Sequence, residues 1–225
     1  NTTRELVPAQ VSTSDAPIMI LALHGNVNAV ITDPNGLIIS QDEITISGAE
    51  YISDPDDPFK LILIPNPSEG EFTIELVGSE EGIYALGLLD SFSPPTTLVA
   101  SLDDLWDSSR SEIAPTMPVT YVLTYTAAST EPPTLIAVTP VIQTPVMVGS
   151  TVVVGRALPG QEIEIRDADS DAQLGSGYVD AEGFYQVTLD QPLLRGQRIY
   201  PYSESVPGVP VTVFAYLQFL PLAQK

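Results

Sequence analysis

Apolar residues along the chain fall in short runs or alternate with polar residues, and turn-forming residues separate these runs. Such a pattern is typical of β-strands, because successive side chains of a strand point to opposite faces. No stretch keeps the i, i+3, i+4 apolar spacing of an amphipathic helix over three turns. In the first half of the chain, strands are predicted at residues 18–24, 27–32, 59–65, 71–77, 83–89 and 119–127.

Proline, glycine and acidic residues mark the turns between these strands, at residues 33–36, 53–58 and 66–70. One helical turn is predicted, at residues 101–109. There Ser101 would cap the helix, and Trp106 would anchor the turn on a sheet.

In the second half of the chain the predicted strands are shorter and more evenly spaced. Residues 128–133 carry small side chains and end in Glu131-Pro132-Pro133, which is typical of an extended linker because proline cannot donate to a central strand. Evenly spaced short strands follow, a pattern that favours a β-sandwich. They are predicted at residues 135–142, 151–157, 162–167, 172–179, 184–189, 197–202 and 209–219.

Two segments of the second half carry a family resemblance. Residues 155–167 read GRALPGQEIEIRD, and residues 174–189 read LGSGYVDAEGFYQVTL. Both resemble the bacterial Ig-like repeats of surface adhesins over residues 135–219, with Glu182 at a position where the family commonly has aspartate. The resemblance implies an Ig-like sandwich without catalytic activity.

The first half resembles a different kind of module. Residues 31–36 (ITDPNG), 64–67 (IPNP), 70–78 (GEFTIELVG) and 82–86 (GIYAL) are similar to the jelly-roll, pre-peptidase-like accessory modules of secreted bacterial proteins. This resemblance implies a non-catalytic sandwich.

The sequence therefore predicts an all-β protein with two tandem β-sandwiches, jelly-roll-like and then Ig-like. The predicted organisation is an extended N-terminal segment at 1–16, a first sandwich at 17–129, a linker at 130–134, a second sandwich at 135–219 and a C-terminal tail at 220–225.

The strongly negative net charge of the chain makes anionic partners unfavourable. The chain has 29 acidic and 8 basic residues, a formal net charge of −21, so nucleic acids and anionic membrane surfaces are unfavourable partners. No apolar run is long enough to cross a membrane. The composition and the start at Asn1 indicate an exported, processed protein located outside the cell or on a bacterial cell surface.

Catalytic chemistry has few candidate groups. The chain contains no cysteine and a single histidine, His24, and no serine lies in a Gly-x-Ser-x-Gly elbow. Zinc sites need several Cys or His ligands. We therefore expect no enzyme, no catalytic residue and no certain cofactor.

Calcium is the one cofactor that the sequence suggests. Asp167, Asp169 and Asp171 place three carboxylates at alternate positions, a spacing suited to a hard cation. A second acidic loop contains Asp54, Asp56 and Asp57. The alternative for both is a solvated turn, since aspartate favours turns and the ligand set is incomplete.

The two ends of the chain suggest assembly. Apolar and small residues near the N-terminus alternate with their neighbours, and the C-terminal end is apolar. The candidate assembly residues are Leu6, Val7, Ala9, Val11, Phe219, Leu220 and Leu222. The simpler explanation for such ends is pairing within the same chain. The alternative is that an extended end adds a strand to a neighbour's sheet, which would build a filament. The function predicted from sequence is thus a structural subunit of a homopolymer. The alternative is an accessory region of a secreted hydrolase or adhesin that binds a surface glycan or protein.

Overall fold

The computed structural model describes residues 17–55, 57–89, 110–127, 129 and 133–215. All the regular secondary structure in these ranges consists of β-strands, which confirms the all-β prediction. None of the described residues belongs to a helix long and apolar enough to cross a membrane. The strands are β1 (Ile18–His24), β2 (Val27–Thr32), β3 (Ile38–Ile39), β4 (Glu50–Asp54), β5 (Asp57–Pro65), β6 (Gly70–Gly78), β7 (Gly82–Leu89), β8 (Arg110–Ile113), β9 (Val119–Tyr125), β10 (Leu135–Ala137), β11 (Val141–Ile142), β12 (Val152–Arg156), β13 (Glu162–Asp167), β14 (Gln173–Tyr178), β15 (Phe184–Thr188), β16 (Arg198–Ser203), β17 (Val206–Pro207) and β18 (Val211–Thr212).

The first sandwich packs two antiparallel sheets face to face, with strand orders β4-β5-β1-β7-β8 and β10-β9-β6-β2-β3. Alternation decides which side chains enter its core. On β6, for example, Phe72, Ile74 and Leu76 are buried, whereas Glu71 and Glu75 face solvent. Such apolar faces need a second layer, and the two sheets supply it for each other.

The second sandwich is smaller. Its sheets have the orders β11-β12-β15 and β14-β13-β16-β17, with β18 also paired to β16. Ile163 and Ile165 of β13 and Val187 of β15 are completely buried in its core. Each of these residues alternates with outward-facing polar residues along its strand, as expected for two antiparallel layers.

Hydrophobic contacts connect the two sandwiches. Val141 and Val209, which follow the predicted linker, pack into the core of the first sandwich. Ile142, the next residue after Val141, packs into the core of the second. The junction therefore shares buried apolar surface with both cores.

Two hydrogen bonds cross the same junction beside strand β8. The backbone N–H of Thr144 donates to the carbonyl oxygen of Arg110 at 3.0 Å. The backbone N–H of Thr212 donates to Oε1 of Glu112 at 3.4 Å. The edge formed by β8 in the first sandwich is therefore bordered by the second sandwich.

The strand pairing differs from the predicted domain limits at one point. Residues 135–142 were expected to form the first strand of the second sandwich, but they form two strands separated by Pro140. β10 pairs with β9 of the first sandwich, and β11 pairs with β12 of the second. Proline has no N–H to donate to a ladder, which accounts for the break.

The other predicted strands agree with the structure in part. The predicted bounds of β1, β2 and β13 agree with the structure, whereas the short strands β3, β4, β8 and β17 were not predicted. In the predicted strand 209–219 only β18 is present among the described residues. The predicted helical turn at 101–109 with Trp106 lies outside the described residues, as does most of the predicted linker.

Candidate functional site

The acidic turn after β13 is organised by Asp167. Its Oδ1 accepts hydrogen bonds from the backbone N–H of Ser170 at 2.9 Å, from the Ser170 hydroxyl at 2.8 Å and from the Asp169 N–H at 3.2 Å. Its Oδ2 accepts from Nε2 of Gln197 at 2.9 Å. These donors, first of all Gln197, lower the pKa of Asp167. The carboxylate thus closes the turn on itself.

Asp171 forms an ion pair with Arg166 of the same chain. Nη1 of Arg166 lies 3.2 Å from its Oδ1, and the Tyr200 hydroxyl also donates to this oxygen. The bond from Tyr200 and then the bond from Arg166 lower the pKa of Asp171. Asp167 and Asp171 therefore have different protein partners.

The second acidic loop joins β4 to β5. Oδ1 of Asp57 accepts the backbone N–H of Phe59 at 2.9 Å, and Asp54 pairs with Asp57 across the hairpin. Asp56 lies outside the described residues. Within the described part of the chain, no three His, Cys, Asp or Glu side chains form a group that could hold a metal ion.

The candidate assembly residues at both ends lie outside the described residues. These are Leu6, Val7, Ala9, Val11, Phe219, Leu220 and Leu222. Their role in assembly stays a prediction.

The single histidine lies at the end of β1, where it pairs with Phe59 of β5. Burial lowers the pKa of His24; Asp57 opposes this shift and Lys60 adds to it. Burial also lowers the pKa of Lys60, whose Nζ donates to the carbonyl oxygen of Gly25 at 3.0 Å. This lysine contact ties β5 to the turn after β1.

A polar groove with a volume of about 430 Å³ lies at this end of the first sandwich, where the β4–β5 hairpin meets the turn after β1. Neutral amide and hydroxyl side chains line one part of it, and the β4–β5 hairpin contributes acidic side chains. The polar lining residues are Asn26, Asn28, Gln41, Ser53, Asp54, Asp57, Lys60 and Ser79. Its size lies within the range of about 300–1,000 Å³ that is usual for ligand-binding clefts.

The junction contains one carboxyl group with a strongly shifted pKa. Burial between β8 and the second sandwich raises the pKa of Glu112 to about 7, and the nearby Glu81 adds to the rise. The Thr212 N–H and the guanidinium of Arg198 act in the opposite direction. Glu112 therefore gains a proton near neutral pH while it accepts a hydrogen bond across the junction.

One surface of the second sandwich was not identified from sequence. On the outer side of the sheet β14-β13-β16, strand pairing brings together three tyrosines, two glutamates and one arginine. We call this surface the tyrosine face; it consists of Glu162, Glu164, Arg166, Tyr178, Tyr200 and Tyr202. Because these residues come from three strands, only the register of the sheet makes them neighbours.

Arg166 is the centre of the tyrosine face. Its guanidinium lies over the ring of Tyr202, 4.3 Å from the ring centroid, and its Nε donates to Oε2 of Glu164 at 2.7 Å. The rings of Tyr200 and Tyr202 meet edge to face, with centroids 6.5 Å apart. The bond to Glu164 is the first cause of the raised pKa of Arg166. The cation stays charged and is held at several points.

Comparisons with known proteins give few matches. No protein-family model and no curated protein matches the chain. Among solved structures, one titled "Biofilm associated protein - BSP domain" is similar over 88% of this chain, with 14% sequence identity and a TM-score of 0.34. The chain spans 28% of the length of that structure. A likeness at this level assigns neither a family nor a function to the chain.

Proposed function

We propose that this chain is a non-enzymatic structural protein of the bacterial cell surface, a subunit of a filament or other polymer. One copy joins the next when its extended N-terminal segment adds a strand to an open sheet edge. The observation that carries the proposal is the arrangement of edges, in which the second sandwich borders β8, whereas β4, the longer edge strand of that sheet, pairs with β5 alone among the described residues.

The other edges of the described sheets are short or close to another part of the chain. β3 and β10 have two and three residues. The edge strand β14 packs closely against β15: a Cβ on Gly177 would lie 3.2 Å from the carbonyl oxygen of Gln186. The backbone N–H of Asp190, just after β15, also donates to the carbonyl oxygen of Leu174 on β14. β4 has five residues, and Ile52 on it is 46% exposed. An exposed edge of this length, with an apolar residue at its centre, is a template for an added strand.

The polar groove at the hairpin end of β4 supports the same acceptor. The two carboxylates of Asp54 and Asp57 outnumber the single cation of Lys60 in its lining, so it favours a basic residue on an incoming strand. The N-terminal segment carries Arg4 ahead of the alternating residues that start at Leu6. Main-chain hydrogen bonds to β4 would supply affinity, and contacts in the groove would supply register.

Paired variants test this proposal. Deletion of residues 1–14 removes the donor strand, and Ile52→Lys places a charge on the acceptor edge; each is expected to abolish polymers and leave a folded monomer. Leu194→Lys is the matched control, because Leu194 is 69% exposed and lies on the second sandwich, away from β4. Polymers that persist after the deletion contradict the N-terminal donor, and polymers that persist in Ile52→Lys contradict the β4 acceptor.

The tyrosine face favours a second candidate function. Tyr178 is 71% exposed, and on the same face Arg166 and Glu164 hold each other in place. Surfaces rich in exposed tyrosine suit ligand binding, because a tyrosine ring gives a large amphipathic contact with few rotatable bonds. The chain would then be an accessory region of a secreted hydrolase or adhesin that binds a glycan or a protein.

A further inference from the structure

The exposure of Tyr178 is unusual for so large a side chain. It lies on the edge strand β14, directly opposite Glu162 of β13, and 71% of it is accessible to solvent. The residues before and after it along the strand, Gly177 and Val179, face inwards towards Val187 and the core. The backbone of β14 is therefore fixed by the core while the Tyr178 ring is presented to solvent.

Part of the charged cluster on the same face is held before any ligand arrives. Glu164 and Asp171 bind opposite ends of the Arg166 guanidinium, at 2.6 Å and 3.2 Å, and the Arg166 side chain is only 24% exposed. Arg166 and Glu164 lose little further conformational entropy on binding, because their rotamers are already restricted. Oε1 of Glu164 accepts no hydrogen bond from any described side chain.

We infer that the tyrosine face binds a neutral polysaccharide, with the Tyr178 ring against the C–H face of a sugar and the carboxylates of Glu162 and Glu164 accepting hydrogen bonds from its hydroxyl groups. A sugar has both an apolar C–H surface and a dense set of donors, which matches an exposed ring on a face that carries carboxylate acceptors. This inference deepens the ligand-binding candidate above and does not depend on polymer formation.

Charge and composition favour a neutral glycan over other ligands. The chain has a net charge of −21, and the face itself carries Glu162, Glu164 and Asp171 against Arg166, so an acidic polysaccharide is repelled. Three of the six residues of the tyrosine face are charged, whereas the core of a stable protein interface is depleted of charged residues.

The opposite sheet provides an internal comparison. On the outer side of β12 and β15, Phe184 is 44% exposed and the guanidinium of Arg156 lies 4.5 Å from its ring centroid. Val152 and Val154 are its outward neighbours on β12, and the strands carry no carboxylate there. This surface has an exposed ring and an arginine but no carboxylate acceptor on its two strands, so it serves as the control.

The test measures retention of the full chain on three neutral polysaccharides (cellulose, chitin and xylan), on polygalacturonate as the acidic control, and on an oligolysine peptide as a cationic protein-like ligand. Four proteins are compared: the unchanged chain, Tyr178→Ala, Tyr178→Phe and Phe184→Ala. Melting temperatures are recorded for all four. Tyr178 is exposed, so its variants are expected to fold like the unchanged chain.

We expect at least one neutral polysaccharide to bind. Tyr178→Ala should weaken this binding about tenfold, Tyr178→Phe should retain most of it, and Phe184→Ala should change it by less than about twofold. Binding to none of the neutral polysaccharides overturns the inference, as does an equal loss in Phe184→Ala. Tyr178-dependent binding to polygalacturonate or oligolysine instead also overturns it. Light scattering on the same samples separates this outcome from that of the polymer proposal, since a monomer can bind a glycan and a polymer can fail to bind one.

Discussion

Val141 and Ile142 are neighbours in the chain, yet their side chains belong to two different hydrophobic cores. Val141 packs with the first sandwich and Ile142 with the second. The alternation of a strand explains this, since β11 lies between the two cores and points successive side chains to opposite sides. The junction is therefore buried structure in its own right, and changes within it are expected to alter the stability of both sandwiches.

The first prediction concerns pH and Glu112. The pKa of Glu112 rises from 4.5 to about 7 on folding, so the folded state holds a proton that the unfolded state releases between these values. Stability from this group is complete below pH 4.5 and is lost as the pH rises to about 7. Glu112→Gln should remove that dependence and add about 2 kcal/mol to the unfolding free energy at pH 8, after allowance for partial solvent screening.

Urea unfolding of both proteins at pH 5 and pH 8 measures this effect. Glu75→Gln is the matched control, because Glu75 is an exposed residue of β6. A pH dependence between 5 and 8 that is the same in Glu112→Gln as in the unchanged chain would contradict the assigned role of Glu112.

The second prediction concerns the packing of Gly155 at the junction. A Cβ on Gly155 would overlap the carbonyl oxygen of Val141 and the hydroxyl of Tyr185. The Tyr185 hydroxyl already donates to this same carbonyl at 2.9 Å, so neither atom can move without loss of the bond. Gly155→Ala is expected to lower the unfolding free energy by about 3 kcal/mol.

Gly82→Ala is the control for this change, because nothing lies within 4 Å of a Cβ at Gly82. Chemical denaturation of both variants gives the comparison. Equal stabilities of Gly155→Ala and Gly82→Ala would show that the close packing at β12 is absent.

The third prediction concerns the buried hydroxyl groups of Tyr84 and Tyr121, which lie 2.7 Å apart in the first core. Burial raises the pKa of both phenols. Tyr84→Phe leaves the Tyr121 hydroxyl with one partner fewer and should cost about 1–3 kcal/mol. Because the two hydroxyls act as a pair, a double-mutant cycle with Tyr121→Phe should give a total loss smaller than the sum of the single losses. Strictly additive losses would contradict the pairing.

The fourth prediction concerns calcium. The Asp167 and Asp171 carboxylates already accept hydrogen bonds from Gln197, Ser170, Tyr200 and Arg166. Calcium would have to displace these donors, so the melting temperature is expected to be the same in chelator and in millimolar calcium. A calcium-induced rise that disappears in Asp167→Asn would instead establish the ion at this turn.

Much of the fold could be predicted from local pattern. The limits of β1 and β13 follow from uninterrupted apolar or alternating residues bounded by turn signals. β4 was missed because its Glu-Tyr-Ile-Ser-Asp sequence is polar on one face and merges with the acidic loop. β8 has four residues, too few for a periodic signal.

The tyrosine face could not be predicted in this way. Arg166, Tyr178 and Tyr202 are far apart in sequence, and each alone is an ordinary outward residue of a strand. Their proximity depends on the registers of β13 with β14 and with β16, which a single sequence does not specify. The acidic turns, in contrast, are local and could be recognised in the sequence. The hydrogen-bond partners of their carboxylates could not be predicted, because Gln197 and Tyr200 are distant in sequence.

Light scattering of the purified full chain, with negative-stain imaging of the same sample, tests the proposed polymer most directly. We expect the full chain to form assemblies with a regular repeat, and the chain without residues 1–14 to remain a folded monomer. A species of 24.1 kDa under all conditions, the mass of a single chain, would contradict it.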